Sequence, residues 1–122
     1  DSSLILLAPG SSEMTTAAKQ TGLKTACEVF ADRAYEEDGS LVARSKPGAM
    51  ITDTSLAISR VLQMVEKGTV ISITGKEIEL AADSICVHGD SPAALSFVKN
   101  IRQALTSHNI RIASIEETLA NR

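Results

Sequence analysis

Two short apolar segments near the start of the chain flank a stretch with helical signals, and this arrangement restricts the possible folds most strongly. Residues 4–8 form a continuous apolar run, and the sequence KTACEVF at residues 24–30 forms a second one. Between them, Ser11 or Ser12 can cap a short helix that Gly22 ends. A strand-helix-strand unit of this kind joins parallel strands through a right-handed crossover. The pattern predicts an α/β fold whose first strand is covered on both faces.

The rest of the chain continues the alternation of strands and helices. Asp53 or Thr54 is a suitable cap for a second helix, and Gly68 follows its apolar stripe. Ser91 is a good cap for a third helix, which we expect to begin at Pro92. The predicted helices cover residues 54–67 and 92–108. The predicted strands cover residues 69–74, 77–80, 84–87 and 110–114, and a polar tail follows the last of them. The strands at residues 69–74 and 77–80 are expected to pair as a small hairpin.

Length and composition exclude several classes of protein. The chain has 122 residues, 43% apolar and 22% charged, which suits one globular α/β domain. We expect a cytoplasmic protein, because no apolar run is long enough for a membrane span and the first residues lack a secretory signal pattern. A net charge of −3 and only three aromatic residues argue against nucleic-acid binding. Cys27 and Cys86 lie in apolar runs and are predicted to be buried free thiols.

Polar side chains follow the second predicted strand and the strand at residues 84–87, so we expect them at one edge of the sheet. Glu28 lies inside an apolar strand, where an unpaired acid is costly. Glu28 and Asp32 can form an acid and base pair, and Asp32 with Arg33 can clamp a substrate carboxylate. An internal salt bridge is the structural alternative for these charges. We favour a polar or catalytic role.

The sequence CVHGDSP, residues 86–92, places His88 and Asp90 directly after a strand and before a helix. The imidazole is a suitable general acid or base, and the helix start can hold a carboxylate or phosphate. Both residues also have plausible structural roles, with Asp90 capping the helix and His88 bonding a carbonyl group. Together with Glu28 they make a possible metal-ligand set, but no tight ligand spacing supports it.

Residues 28–51 are too polar and glycine-bearing to be predicted as core, and we interpret them as a loop at the edge of the sheet. Arg44 and Lys46 precede Gly48 in this loop and can meet a phosphate group, although an exposed basic loop is the simpler interpretation and is slightly favoured.

Residues 28–51, EVFADRAYEEDGSLVARSKPGAMI, and residues 81–95, AADSICVHGDSPAAL, closely resemble the LamB/YcsF family. The resemblance covers essentially the whole chain, but it corresponds to the C-terminal half of the family's chain. It implies that residues 1–122 are one α/β unit within an irregular β/α barrel similar to that of polysaccharide deacetylases. A half barrel leaves strand edges unpaired, so we expect the chain by itself either to form a homodimer through these edges or to rearrange.

The resemblance implies that the chain is part of the A subunit of an ATP-dependent 5-oxoprolinase, which opens 5-oxo-L-proline to L-glutamate together with 5-oxoprolinase subunits B and C. ATP with Mg²⁺ is then required, and no tightly bound metal is expected. The expected roles are acid/base chemistry by His88 with Asp90 as its orienting partner, and a second carboxylate at Glu28. The predicted substrate contacts are those of Arg33, Asp32, Lys46 and Gly48.

Two alternatives stay open: a metal-dependent hydrolase similar to the deacetylases, and a scaffold or carrier protein without catalysis. On each interpretation we expect the 122-residue chain by itself to be inactive.

Overall fold

A computed structural model of the chain describes residues 1–90 and 92–122. Ser91, the predicted cap of the third helix, lies outside these residues. The elements in chain order are β1 Ile5–Ala8, α1 Glu13–Gln20, β2 Lys24–Phe30, α2 Thr54–Lys67, β3 Thr69–Ile71, β4 Glu77–Glu79, β5 Ser84–Cys86, α3 Ala94–Ser107 and α4 Ile115–Ala120.

A parallel three-stranded sheet with the order β1-β2-β5 forms the centre of the fold. The predicted strand-helix-strand unit is confirmed, with Ile5 opposite Lys24 in a parallel register. Ser12 caps α1, because its side chain accepts a hydrogen bond from the backbone N–H of Thr15. The first strand is not covered on both faces as predicted. It is an edge strand, and Leu7 is 41% exposed.

The helix α2 packs against α3 and against a separate hairpin. Asp53 caps the helix by accepting from Leu56 N–H, and Gly68 ends it in the left-handed conformation with φ of 66°. The predicted hairpin is present as antiparallel β3 and β4. The main core includes Val29, Val61, Met64, Val70 and Ile101. None of the helices in the described ranges is both long and apolar enough to cross a lipid bilayer.

The C-terminal region differs from the prediction in two places. The third helix begins at Ala94, two residues after Pro92. Residues 110–114 do not form the predicted last strand, and the polar tail contains the helix α4. Ser114 accepts a hydrogen bond from the N–H of Glu117, so a local cap starts a helix where a strand was expected.

The segment at residues 28–51 also differs from the prediction, because much of it is buried. Val42, Ala34 and Ala49 form a second small core cluster, and Tyr35 joins the main core. Isolated antiparallel bridges at Arg33 with Met50, and at Tyr35 with Leu41, fold the segment back on itself. Small residues and one valine therefore build core within a sequence that looks polar on average.

Candidate functional site

The parallel pairing of β2 with β5 brings two polar segments to one edge of the sheet. Glu28 pairs with Ser84 and Phe30 with Cys86, so the two strands end side by side. The pairing continues past the strand ends, because the N–H of Ala31 donates to the carbonyl of Cys86 at 3.2 Å. Two residues beyond the pair of Phe30 and Cys86, the same register brings Asp32 next to His88. The edge predicted to carry the site is therefore formed, as the parallel topology requires.

His88 and Asp32 form a hydrogen-bonded pair at this edge. The Nδ1 atom of His88 lies 3.0 Å from Oδ1 and 2.9 Å from Oδ2 of Asp32. An ionised carboxylate only accepts hydrogen bonds, so the pairing favours the tautomer with the proton on Nδ1. The side chains are 25% and 15% exposed, respectively, which leaves them within reach of a small molecule. The Nε2 atom has no hydrogen-bond partner among residues 1–90 and 92–122.

Phe30 supports the imidazole ring of His88 from one face. The two ring centroids lie 5.7 Å apart with an angle of 10° between the planes, so the rings are stacked. Phe30 is the last residue of β2, and its own N–H donates to the hydroxyl oxygen of Tyr35 at 2.9 Å. The ring of His88 is thus held by a carboxylate at its edge and by an aromatic ring at its face.

Glu28 interacts with the thiol of Cys86 rather than with Asp32. Burial raises the pKa of Cys86, and the negative charge of Glu28 and a hydrogen bond to its carboxylate act in the same direction. The thiol is therefore protonated at neutral pH. The acid and base pair of Glu28 and Asp32 considered from the sequence is not formed, because each carboxylate has a different partner.

Asp90 lies outside the hydrogen-bonded pair. Its Oδ2 atom is 3.8 Å from Nη1 of Arg44, and the two side chains are 67% and 53% exposed. The carboxylate that contacts the imidazole of His88 is Asp32, whereas the sequence predicted Asp90. The sequence could not distinguish them, since Asp90 is two residues from His88 in the chain and Asp32 is its neighbour only across the sheet.

Arg33 does not lie at the edge as a substrate clamp. The residue is buried, and Nη2 donates to the carbonyl of Val42 at 2.9 Å. Its Nε atom is buried without a hydrogen-bond partner in the described part of the chain. The antiparallel bridge between Arg33 and Met50 ties the backbone of this residue into the folded segment.

Lys46 and Gly48, the predicted phosphate contacts, lie in an exposed turn. The Nζ atom of Lys46 is 3.2 Å from Oε1 of Glu36. Gly48 has φ of 81°, a left-handed conformation that glycine adopts without strain. A phosphate at this turn would contact the exposed ammonium group of Lys46, which already has the carboxylate of Glu36 as a neighbour.

The polar residues do not form a metal-binding group. Within residues 1–90 and 92–122, no three histidine, cysteine or acidic side chains are arranged so that they could hold a metal ion. The set of Glu28, His88 and Asp90 considered from the sequence is therefore not assembled. Cys27 and Cys86 are free thiols, as predicted, and both are partly buried rather than fully buried.

Arg60 also belongs to this region, although the sequence did not predict it as a site residue. Its side chain is buried in α2, between Ala57 and Met64 on the apolar stripe. The guanidinium donates to the carbonyls of Ala31 and Arg33, on both sides of Asp32. A charged residue at a core-facing helical position was the available signal, because such a position is costly without partners.

An apolar groove of about 650 Å³ lies between β5, α3 and the segment that precedes α4, with Ile85, Ile101 and Ile112 in its lining. None of the predicted site residues lines it. The groove and the His88–Asp32 pair are separate features of the molecule.

Comparison with known proteins gives consistent matches. The model of the LamB/YcsF family matches residues 1–120. A protein of Clostridium beijerinckii, named as the A subunit of 5-oxoprolinase, is 59% identical over 114 residues, which cover 93% of this chain and 45% of the relative. One of Campylobacter jejuni subsp. doylei with the same name is 53% identical over 116 residues, which cover 95% of this chain and 46% of the relative.

A solved structure is also similar. The crystal structure of the lactam utilization protein from Thermus thermophilus matches with a TM-score of 0.86 and 34% identity, covering 92% of this chain and 44% of that one. The chain therefore spans a little under half the length of the relatives it matches.

Proposed function

Because the chain belongs to the LamB/YcsF family, we propose that it forms part of the A subunit of an ATP-dependent 5-oxoprolinase. The proposed reaction cleaves 5-oxo-L-proline to L-glutamate, with ATP converted to ADP and phosphate. Relatives that carry the name of this subunit support the proposal. A lettered subunit implies further ones, and we propose that subunits B and C complete the enzyme in the cytoplasm, where ATP is supplied. We also propose that the parallel sheet is one part of a β/α barrel.

The observation that carries the proposal is the hydrogen bond between His88 Nδ1 and the carboxylate of Asp32 at 2.9 Å. With its proton held on Nδ1, the imidazole presents the lone pair of Nε2 as a general base. We propose that Nε2 takes a proton from the water that attacks the lactam carbonyl carbon. The carboxylate then stabilises the imidazolium, which returns a proton to the departing ring nitrogen. A lactam carbonyl is a weak electrophile, so this step needs activation elsewhere in the enzyme.

The anionic substrate also requires cationic partners. Arg44 and Lys46 are exposed in the segment at residues 28–51, and their ion pairs with Asp90 and Glu36 are open to solvent. Such pairs contribute at most about 1 kcal/mol, so a substrate carboxylate or a phosphate can replace the protein partner. We propose that these two side chains contact the substrate at the protein surface. Gly48 allows the turn that follows them, because it adopts a left-handed conformation.

ATP is the co-substrate of the proposed reaction, and Mg²⁺ enters with it. The guanidinium of Arg33 is buried and donates to the carbonyl of Val42, whereas Arg44 and Lys46 are exposed. The described residues therefore contain no enclosed set of phosphate donors. The residues present therefore do not fit an ATP site, and we assign no step of phosphate transfer to this chain.

The experiment that tests the proposal is ATP-dependent release of glutamate from 5-oxoproline by the complete enzyme with its partner subunits. His88→Ala should lower turnover by at least about 100-fold, the usual contribution of a general base, with the complex still assembled. His108→Ala is the matched control, because His108 is exposed at the end of α3 and contacts Glu66. We expect this control to retain activity.

Unchanged turnover in the His88 variant would show that this chain serves as a scaffold or carrier for the lactam. Activity that depends on a metal and not on ATP would instead support a deacetylase-like hydrolase. Either result would overturn the proposed role.

A further inference from the structure

Arg60 is a charged residue in the interior of the protein. It lies in the middle of α2, 8% exposed, on the face that also buries Ala57, Val61 and Met64. Burial lowers the pKa of its guanidinium, and the nearby Tyr35 opposes this effect. Within the described residues, no carboxylate lies at ion-pair distance from Arg60. The desolvation of this charge is therefore offset by neutral acceptors alone, which is an expensive arrangement.

Those acceptors are two backbone carbonyls that flank a single residue. Nη1 of Arg60 donates to Ala31 O at 3.3 Å, and Nη2 donates to Arg33 O at 3.0 Å. The residue between them is Asp32, whose own carbonyl accepts from the N–H of Ile51 at 2.8 Å. Three consecutive carbonyls after the end of β2 are thus held by specific donors, so the backbone of Asp32 has little freedom to rotate.

Asp32 in turn is the partner of His88. The guanidinium of Arg60 holds the backbone on both sides of Asp32 and so sets its orientation. The direction of the Asp32 carboxylate depends on this orientation. The carboxylate then selects the tautomer and orientation of the imidazole. Ala31 adds to this by donating its N–H to Cys86 O at 3.2 Å, which ties the same segment to the strand that leads to His88.

We propose that Arg60 is a positioning residue, which holds the carbonyls on both sides of Asp32 and thereby fixes the geometry of the Asp32–His88 pair. Its consequence for turnover rests on the proposed function of His88. The role requires arginine in particular, because the planar guanidinium offers two donors in a rigid fork that reaches two carbonyls at once. A lysine at this position has a compact ammonium group and holds such a pair less rigidly.

The test uses the protein as the cell makes it, assembled with its partner subunits, and the variants Arg60→Lys and Arg60→Met. Arg102→Met is the matched control, because Arg102 is an exposed residue of α3. Glutamate release gives kcat and KM for 5-oxoproline, and the ¹⁵N chemical shifts of the His88 ring report which nitrogen carries the proton.

We expect Arg60→Met to lower kcat by about 10-fold to 100-fold, as small misplacements of catalytic groups do. KM should change by less than about threefold, since no substrate contact is removed. Arg60→Lys should have an intermediate effect on kcat, and the ring signals in both variants should move toward a mixture of tautomers. Arg102→Met should match the wild-type protein in all three measurements.

If Arg60→Met fails to fold, Arg60→Lys decides the question. Loss of thermal stability with unchanged ring signals and kcat would overturn the proposal and leave Arg60 a purely structural residue. A shift of the ring signals, with turnover insensitive to both the Arg60 and His88 variants, would support the positioning role while overturning the catalytic function of His88. The two proposals are therefore tested separately.

Discussion

His88 contacts the carboxylate of Asp32 at 2.9 Å, although the two residues are 56 positions apart in the chain. Each residue follows a strand, and the two strands are parallel neighbours in the sheet. The contact therefore depends on strand register rather than on sequence proximity. It also assigns different environments to the acidic residues of this edge, with Asp32 partly buried and Asp90 largely exposed.

Replacement of Asp32 should reduce activity much more than replacement of Asp90. Asp32→Asn keeps the shape of the side chain but replaces the carboxylate by a neutral amide, whose NH2 group can donate to Nδ1 of His88. The proton is then no longer fixed on Nδ1 and the imidazolium loses its counter-charge, so turnover should fall by about 100-fold or more. Asp90→Asn removes an exposed and distant ion pair, and its effect should be at least about tenfold smaller. Glutamate release by the complete enzyme measures both. A larger loss of turnover for Asp90→Asn would contradict this expectation and would support the pairing of His88 with Asp90 that the sequence predicted.

The small core at residues 34, 42 and 49 should contribute measurably to stability. Val42 is fully buried there, so Val42→Ala should lower the free energy of unfolding by about 1–3 kcal/mol. Val98→Ala is the same substitution at an exposed position of α3 and should change it by about 0.5 kcal/mol or less. Urea unfolding of both variants makes the comparison. Equal effects would mean that the folded segment at residues 28–51 does not act as core.

Asp83 should matter more for stability than its ion-pair partner Arg122. One carboxylate oxygen accepts from the N–H of Cys27 at 2.8 Å and also from Arg122, which follows α4. Asp83→Ala leaves the Cys27 N–H without this acceptor and should cost about 2–3 kcal/mol. Arg122→Ala removes only a half-exposed partner and should cost about 1 kcal/mol or less. The reverse order in urea unfolding would contradict this account.

Stability should decline at alkaline pH. Burial raises the pKa of Tyr35 above its ordinary value near 10, and burial also raises the pKa of Cys27 and Cys86 above 9.0. The folded state therefore binds these protons more tightly than the unfolded state. The resulting stabilisation is fully present below about pH 9 and is lost as the pH rises through the folded-state values.

Urea unfolding of wild type and Tyr35→Phe at a series of pH values tests this expectation. The variant should be less stable throughout, because the N–H of Phe30 loses its acceptor. Its decline above about pH 10 should nevertheless be shallower than in the wild type, because one titrating group is gone. Parallel curves for the two proteins would show that Tyr35 does not contribute to the decline.

The elements that the sequence predicted well have strong local signals. Ser12 and Asp53 cap their helices through their own side chains, and Gly68 ends α2. The strand at Lys24–Phe30 has the predicted bounds. The family resemblance is likewise confirmed, because two long and specific motifs carried it. Local signals also misled at the C-terminus, where the apolar pattern of residues 110–114 favoured a strand that has no partner in the described fold.

The sequence by itself determined the succession of strands and helices, and it identified the two strand ends that carry polar residues. These properties depend on capping groups and periodicities that act over a few residues. Only the tertiary structure decided that Asp32 is the partner of His88, that Arg33 is buried, and that Arg60 holds the intervening backbone. The physical reason is that strand register selects which distant side chains meet. A shift of one residue in the pairing of two strands would turn the side chains of the shifted strand to the opposite face of the sheet.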